Sequence, residues 1–130
     1  MMNFKIETEF VEFKNSISQL TNDQTYVNYL YRTGKISENQ MSSHPEKHVL
    51  MNALGIFPSL GCDMFSFIYK GEGLLLCSDG LYNNVAEQEI NAVTRSDDRV
   101  DQKVKSLIGE ANANGGSDNI AVALWEANND

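Results

Sequence analysis

The stretch Leu74-Leu75-Leu76-Cys77-Ser78-Asp79-Gly80-Leu81 runs four apolar residues directly into an acidic, glycine-containing turn. A short apolar run bounded by turn residues reads as a buried strand, ended here by Ser78-Asp79-Gly80. Just upstream, Met64, Phe65, Phe67, Ile68 and Tyr69 form a second dense run, closed by Lys70-Gly71-Glu72-Gly73. Two buried strands joined by a tight glycine turn are therefore expected. Downstream, Glu87 to Thr94 predicts a short helix. Asp97 to Asn112 predicts a longer one, with Val100, Val104, Leu107, Ile108 and Ala111 on one stripe. Gly115-Gly116-Ser117-Asp118-Asn119 forms a sharp loop. Ile120 to Trp125 then alternates Ile120, Val122 and Leu124 against Ala121, Ala123 and Trp125, as a half-buried strand does.

Towards the start, Phe4, Ile6, Thr8 and Phe10 alternate, and Val11 and Phe13 follow after a register change, giving one strand or a bent pair. Thr21 or Asn22 is expected to cap a helix carrying Tyr26, Val27, Leu30 and Tyr31, with Gly34 at its end. Ser37 opens a shorter helix with Gln40 as a capping-box partner. His44-Pro45 breaks it, and Glu46 to Leu54 reads as a further helical turn or two, stopped by Gly55. The order is strand, three helical pieces, two strands, two helices, strand. It implies an α+β fold with mainly antiparallel strands and flanking helices, in a single domain over residues 1–130.

Composition narrows the function classes. Hydrophobic residues make up 42% and charged residues 22% of the 130 residues, an ordinary globular balance. Ten Lys and Arg against eighteen Asp and Glu leave a net charge of −8, which argues against nucleic acid or an anionic membrane as partner. The apolar run at Leu74 is far too short to span a bilayer. Lys5, Glu7 and Glu9 interrupt any signal-peptide-like start after Met1-Met2. Cys62 and Cys77 form no close-spaced pair and read as buried thiols of a reducing compartment, so a cytoplasmic location is expected.

Two carboxylates stand out by their setting. Asp79 follows the apolar strand and precedes Gly80; Asp118 follows two glycines and precedes Asn119 just before the last strand. Acidic, glycine-flanked loops at strand ends suit hard cations, because oxygens can converge where glycine lets the chain bend. The bland reading is that each is a turn residue bonding its own backbone amides two positions on. His44 and His48 stand four apart, but Pro45 breaks a helix through them and no ligand cluster accompanies them, which leaves zinc unsupported. There is no Walker loop, no GxGxxG and no Ser/His/Asp pattern.

Leu74 to Leu81 resembles a signature of the metal-dependent (type 2C) protein serine/threonine phosphatases. Three further resemblances follow in the family's order. Gln19 to Asp23 with Val27, Asn28 and Leu30 is similar to the entry into the family's central helix. His44-Pro45 with Val49-Leu50 and Ala53-Leu54-Gly55 is similar to its flap region. Ala111-Asn112 with Gly115 to Ile120 is similar to the loop before its late strand. The resemblance implies a partial α-β-β-α sandwich, a binuclear Mn²⁺ or Mg²⁺ centre, and in-line attack of metal-activated water on phosphoserine or phosphothreonine. By motif, Asp79 and Asp118 would be two of the metal-site carboxylates.

The family's early Arg, its Asp-Gly-x-Gly-Gly loop and its Gly-Asp-Ser-Arg segment are absent from these residues, and Gln24-Thr25 stands where His-Ser is more usual. The chain thus resembles the C-terminal half of the catalytic domain: a truncated reading frame, a degenerate gene or one part of a split protein. Inactivity alone is the expectation. The expected partners are a phosphoprotein substrate or a complementary half-domain, with self-association because Phe65, Phe67, Leu74, Leu76, Val122 and Leu124 are expected to be fitted to strands that this chain lacks. The alternative is a non-catalytic, phosphatase-like module that binds a partner.

Overall fold

The computed structural model describes residues 11–13, 17–53, 55, 58–59 and 61–127. They divide into two compact units, one built on residues 22–66 and the other on residues 11–13, 17–21 and 67–127.

In the first unit, helix α1 spans Tyr26–Arg32 and buries Val27 and Leu30. Its cap is Thr25, whose hydroxyl accepts from the Asn28 amide at 3.2 Å, rather than the expected Thr21 or Asn22. The later start has a tertiary cause. Thr25 pairs as an antiparallel bridge with Leu50; the Tyr26 amide donates to the Val49 carbonyl and the Met51 amide to the Gln24 carbonyl, both at 2.8 Å. Residues 24 and 25 are thereby held extended, and a helix cannot begin before them. Helix α2, Glu38–Met41, opens at Ser37 as expected, with the Gln40 side chain accepting from the Ser37 amide at 2.8 Å. The expected helix over Glu46 to Leu54 is instead a turn leading into the Leu50 bridge; Val49 donates to the Glu46 carbonyl at 3.0 Å. Leu54 lies outside the described residues.

The second unit is organised by one antiparallel sheet in the order β1-β2-β3. β1 is Val11–Phe13, β2 is Gly73–Cys77 and β3 is Val122–Trp125. Leu75 faces Val11 on one side and Leu124 on the other. The alternating pattern expected over Phe4 to Phe10 lies outside the described residues. Three helices follow β2: α3, Asp79–Tyr82; α4, Glu87–Thr94; and α5, Val100–Ala113. Side chains alternate across a strand, so Leu75 and Cys77 share one face. They join Leu81, Val85, Ile90, Leu107 and Ala111 in a buried cluster in which Leu75 is 1% exposed. Ile120, Val122 and Leu124 pack on the same cluster. This corrects the expectation that Val122 and Leu124 await strands from outside the chain. Leu74 and Leu76 take the opposite face, half-buried, and Leu74 pairs across from Trp125, which is 64% exposed.

Two further corrections concern apolar and charged positions. Met64 to Tyr69 is no strand: it carries no ladder pairing among the described residues, and Met64 is 90% and Ile68 83% exposed. A strand is held by hydrogen bonds to neighbours, and apolar content alone does not supply them. Along α5 the buried positions are Lys103, Leu107 and Ala111, spaced four apart. Lys103 belongs there because its ammonium donates to the Thr94 carbonyl at the end of α4 (2.9 Å) and pairs with Glu126 at 2.8 Å. A buried cation placed so is both hydrogen-bonded and neutralised. The α+β class with antiparallel pairing stands.

Candidate metal-binding site

Asp79 is the first residue of α3, 92% withdrawn from solvent at a relative exposure of 8%. Ser78 before it ties the end of β2 to the chain entering β3. Its amide donates to the Ala121 carbonyl at 2.9 Å, its hydroxyl accepts from the Ala121 amide at 2.9 Å, and the same hydroxyl donates to the Asn119 carbonyl at 3.2 Å. Gly80 completes the approach. A Cβ there would run into the Asn119 carbonyl oxygen, with the carbonyl carbon 3.0 Å and Ile120 Cγ1 3.2 Å away. Only glycine lets the two loops touch.

The second loop, residues 114–119, bends through Gly115 and Gly116 at φ 132° and 51°, both in left-handed territory. Asp118 is exposed, and its Oδ1 accepts from the Asn119 amide at 2.7 Å. That bond is local, but it is to the next residue rather than to the amide two positions on that the turn reading anticipated. A carboxylate carries two oxygens and about four lone-pair sites, so it retains capacity for a further partner. Asp79 and Asp118 thus sit on adjoining loops, one carboxylate largely buried and one open to water.

The donor set is short. Among the described residues no group of three or more His, Cys, Asp or Glu could hold a metal ion. His44 is engaged locally: Nδ1 accepts from the Glu46 amide at 3.1 Å and the ring lies edge-on to Tyr26 at 6.2 Å. Cys77 is buried as expected, but Cys62 is exposed, because the residues around it take no regular structure and form no core; neither is in a disulfide. No helix among the described residues is long and apolar enough to cross a membrane.

No protein-family model matches the chain. It is, however, 41% identical over 115 residues to the serine/threonine phosphatase Stp of Listeria welshimeri, a match covering 88% of this chain and 46% of that protein. The protein phosphatase PhpP of Streptococcus pneumoniae is 36% identical over 111 residues, 85% of this chain and 45% of that one. In three dimensions the chain superimposes on the serine/threonine phosphatase of S. agalactiae with a TM-score of 0.81 and 31% identity, over 90% of this chain and 49% of that one. Over nearly nine-tenths of its length this chain is related to the type 2C serine/threonine phosphatases. It spans about half the length of the relatives it matches. A further structural relative, the catalytic domain of the phosphatase PstP, was solved with two manganese ions (TM-score 0.70, 26% identity, 91% of this chain and 48% of that one).

Both family-suggestive Asp loops were visible in the sequence as glycine-flanked acidic turns. Their supports were not. Ser78, Asn84, Asn114 and Ser117 are ordinary polar residues, and only the fold reveals that they bond across 30 or more positions.

Proposed function

We propose that this chain carries one share of a type 2C phosphatase centre, with Asp79 and Asp118 as two of its metal-site carboxylates and Mn²⁺ or Mg²⁺ as the ion. The observation behind the proposal is the contact of Gly80 with the Asn119 carbonyl, which sets the two Asp loops side by side. The 41% identity to a phosphatase supports it. Carboxylate oxygens on open loops are the right donors for a hard dication, but such ions take six or more oxygens, so two side chains are part of a coordination sphere rather than a whole one. A bound dication would supply an activated water and neutralise charge on the phosphoryl group. The chain's own contribution is placement: Ser78 anchors the Asp79 turn, and the adjoining loop presents Asp118 to solvent, where a phosphorylated side chain could approach.

Phosphoserine and phosphothreonine hydrolysis is proposed for the completed centre, not for these 130 residues alone. Two-metal displacement needs ions held about 3.5–4 Å apart, and no Asp-Gly-x-Gly-Gly segment is present to bridge them. A second reading, a non-catalytic module that pairs with a complementary half-domain, is favoured by one observation. Among the described residues, the helices of this unit pack into the buried cluster on the Leu75 face, and none joins a buried cluster on the face carrying Leu74, Leu76 and Trp125.

Titration with Mn²⁺, read by paramagnetic broadening of backbone amides, tests the ligand assignment. The expected result is broadening centred on residues 79 and 118 with an affinity of about 10⁻⁴–10⁻³ M, the range of open, ligand-poor sites. The Asp79→Ala, Asp118→Ala double variant should lose it. Equal affinity in both proteins would mean that the ligands are wrong.

A further inference from the structure

We infer that Asn84 is a positioning residue for the Asp79–Asp118 pair, an inference that rests on the metal-site reading above. Asn84 lies just past α3, whose C-cap is Asn83. Its side-chain amide donates to the Gly80 carbonyl at 2.8 Å, one residue from Asp79. The same head group meets Ser117, one residue from Asp118, with Nδ2 and Oδ1 each 3.2 Å from the Ser117 hydroxyl. One planar amide therefore holds both loops at once. Asn114 reinforces the arrangement by donating from its own side chain to the Asn84 carbonyl at 2.8 Å.

The chemistry requires an amide. Asn offers donors and an acceptor on one short, rigid head; Asp keeps only acceptors and Ala keeps neither. The loop needs such a hold, because residues 114–119 are all exposed and bury no side chain of their own. Apart from the Asn84 and Asn114 contacts, its first residues are secured by the turn at the end of α5, where Gly116 donates to the Ala111 carbonyl at 3.0 Å. Gly115 leaves room for the Asn84 head, its would-be Cβ standing 3.7 Å from Oδ1. Groups that orient a ligand without touching the ion change affinity through preorganisation, typically by about 10- to 100-fold.

The test uses the full 130-residue chain and two readouts, amide relaxation of residues 115–119 without metal and Mn²⁺ titration by paramagnetic broadening. Asn84→Ala is expected to raise the mobility of those amides and to weaken Mn²⁺ binding about tenfold, while the amides of β2 and α5 keep their native positions. Ser117→Ala, which removes the other end of the contact, should act in the same direction. Asn83→Ala, an exposed neighbour, serves as the control and should match the wild type. Unchanged loop mobility and Mn²⁺ affinity in both Asn84→Ala and Ser117→Ala would overturn the role of Asn84 alone, and so would an equal effect of Asn83→Ala. A wild-type chain that shows no broadening at residues 79 and 118 would instead overturn the metal-site reading, and this inference with it.

Discussion

Met64–Tyr69 and Leu74–Cys77 are nearly equal in apolar content, yet only the second is a strand. Leu74–Cys77 lies in β2 between β1 and β3, with Leu75 sealed against three helices. Met64–Tyr69 is assigned to no strand and leaves Met64 and Ile68 almost wholly in water. The contrast teaches that an apolar run records what a segment was fitted to, and that strand formation depends on neighbours supplying backbone partners and a surface to cover. In this chain β2 finds both within the chain, whereas the earlier run enters no strand of the sheet among the described residues.

Substitutions in the two runs should therefore differ sharply. Leu75→Ala is expected to cost about 2–5 kcal/mol of unfolding free energy, since it opens a cavity in the buried cluster of its unit; urea denaturation measures this. A smaller loss follows at the edge of that core. Glu126→Ala leaves the Lys103 ammonium buried with, among the described residues, the Thr94 carbonyl alone, and about 1–3 kcal/mol should be lost by the same assay. Lys103→Met in the Glu126→Ala background should recover part of it, because the stranded charge is gone. The smallest change in stability belongs to the exposed run: Ile68→Ser should stay within about 0.5 kcal/mol of the parent. Its effect should appear instead in association. The parent is expected to self-associate or to capture a complementary half at micromolar concentration, held in solution by its net charge of −8, and Ile68→Ser should sediment as a smaller species. A loss for Ile68→Ser as large as that for Leu75→Ala would show that Met64–Tyr69 packs as a strand after all.

Much of the fold is legible in the sequence where structure is decided locally. α4 occupies Glu87–Thr94, as its pattern implies, and the Ser37–Gln40 capping box forms. The alternation in β3 puts Val122 and Leu124 towards the core and leaves Trp125 exposed. What escapes sequence reading is decided by distant partners. Thr25 caps α1 because Leu50 pairs with it from 25 residues away, and Lys103 is buried because Glu126 and Thr94 receive its charge. The two Asp loops announce themselves by glycine and acid side by side. The Asn84 contact between them does not, since no local pattern marks an Asn that bonds a Ser 33 residues on.

Hydrolysis measures most directly how much of a phosphatase centre these 130 residues hold. The purified chain, given millimolar Mn²⁺ and para-nitrophenyl phosphate or a phosphoserine peptide, should turn over no faster than its Asp79→Asn variant. Removal of even one electrostatic element from such a centre costs about a hundredfold or more, and several are absent here. Metal-dependent turnover at the rate of an intact family member, abolished by Asp79→Asn, would contradict that expectation: the 130 residues would then hold a complete centre.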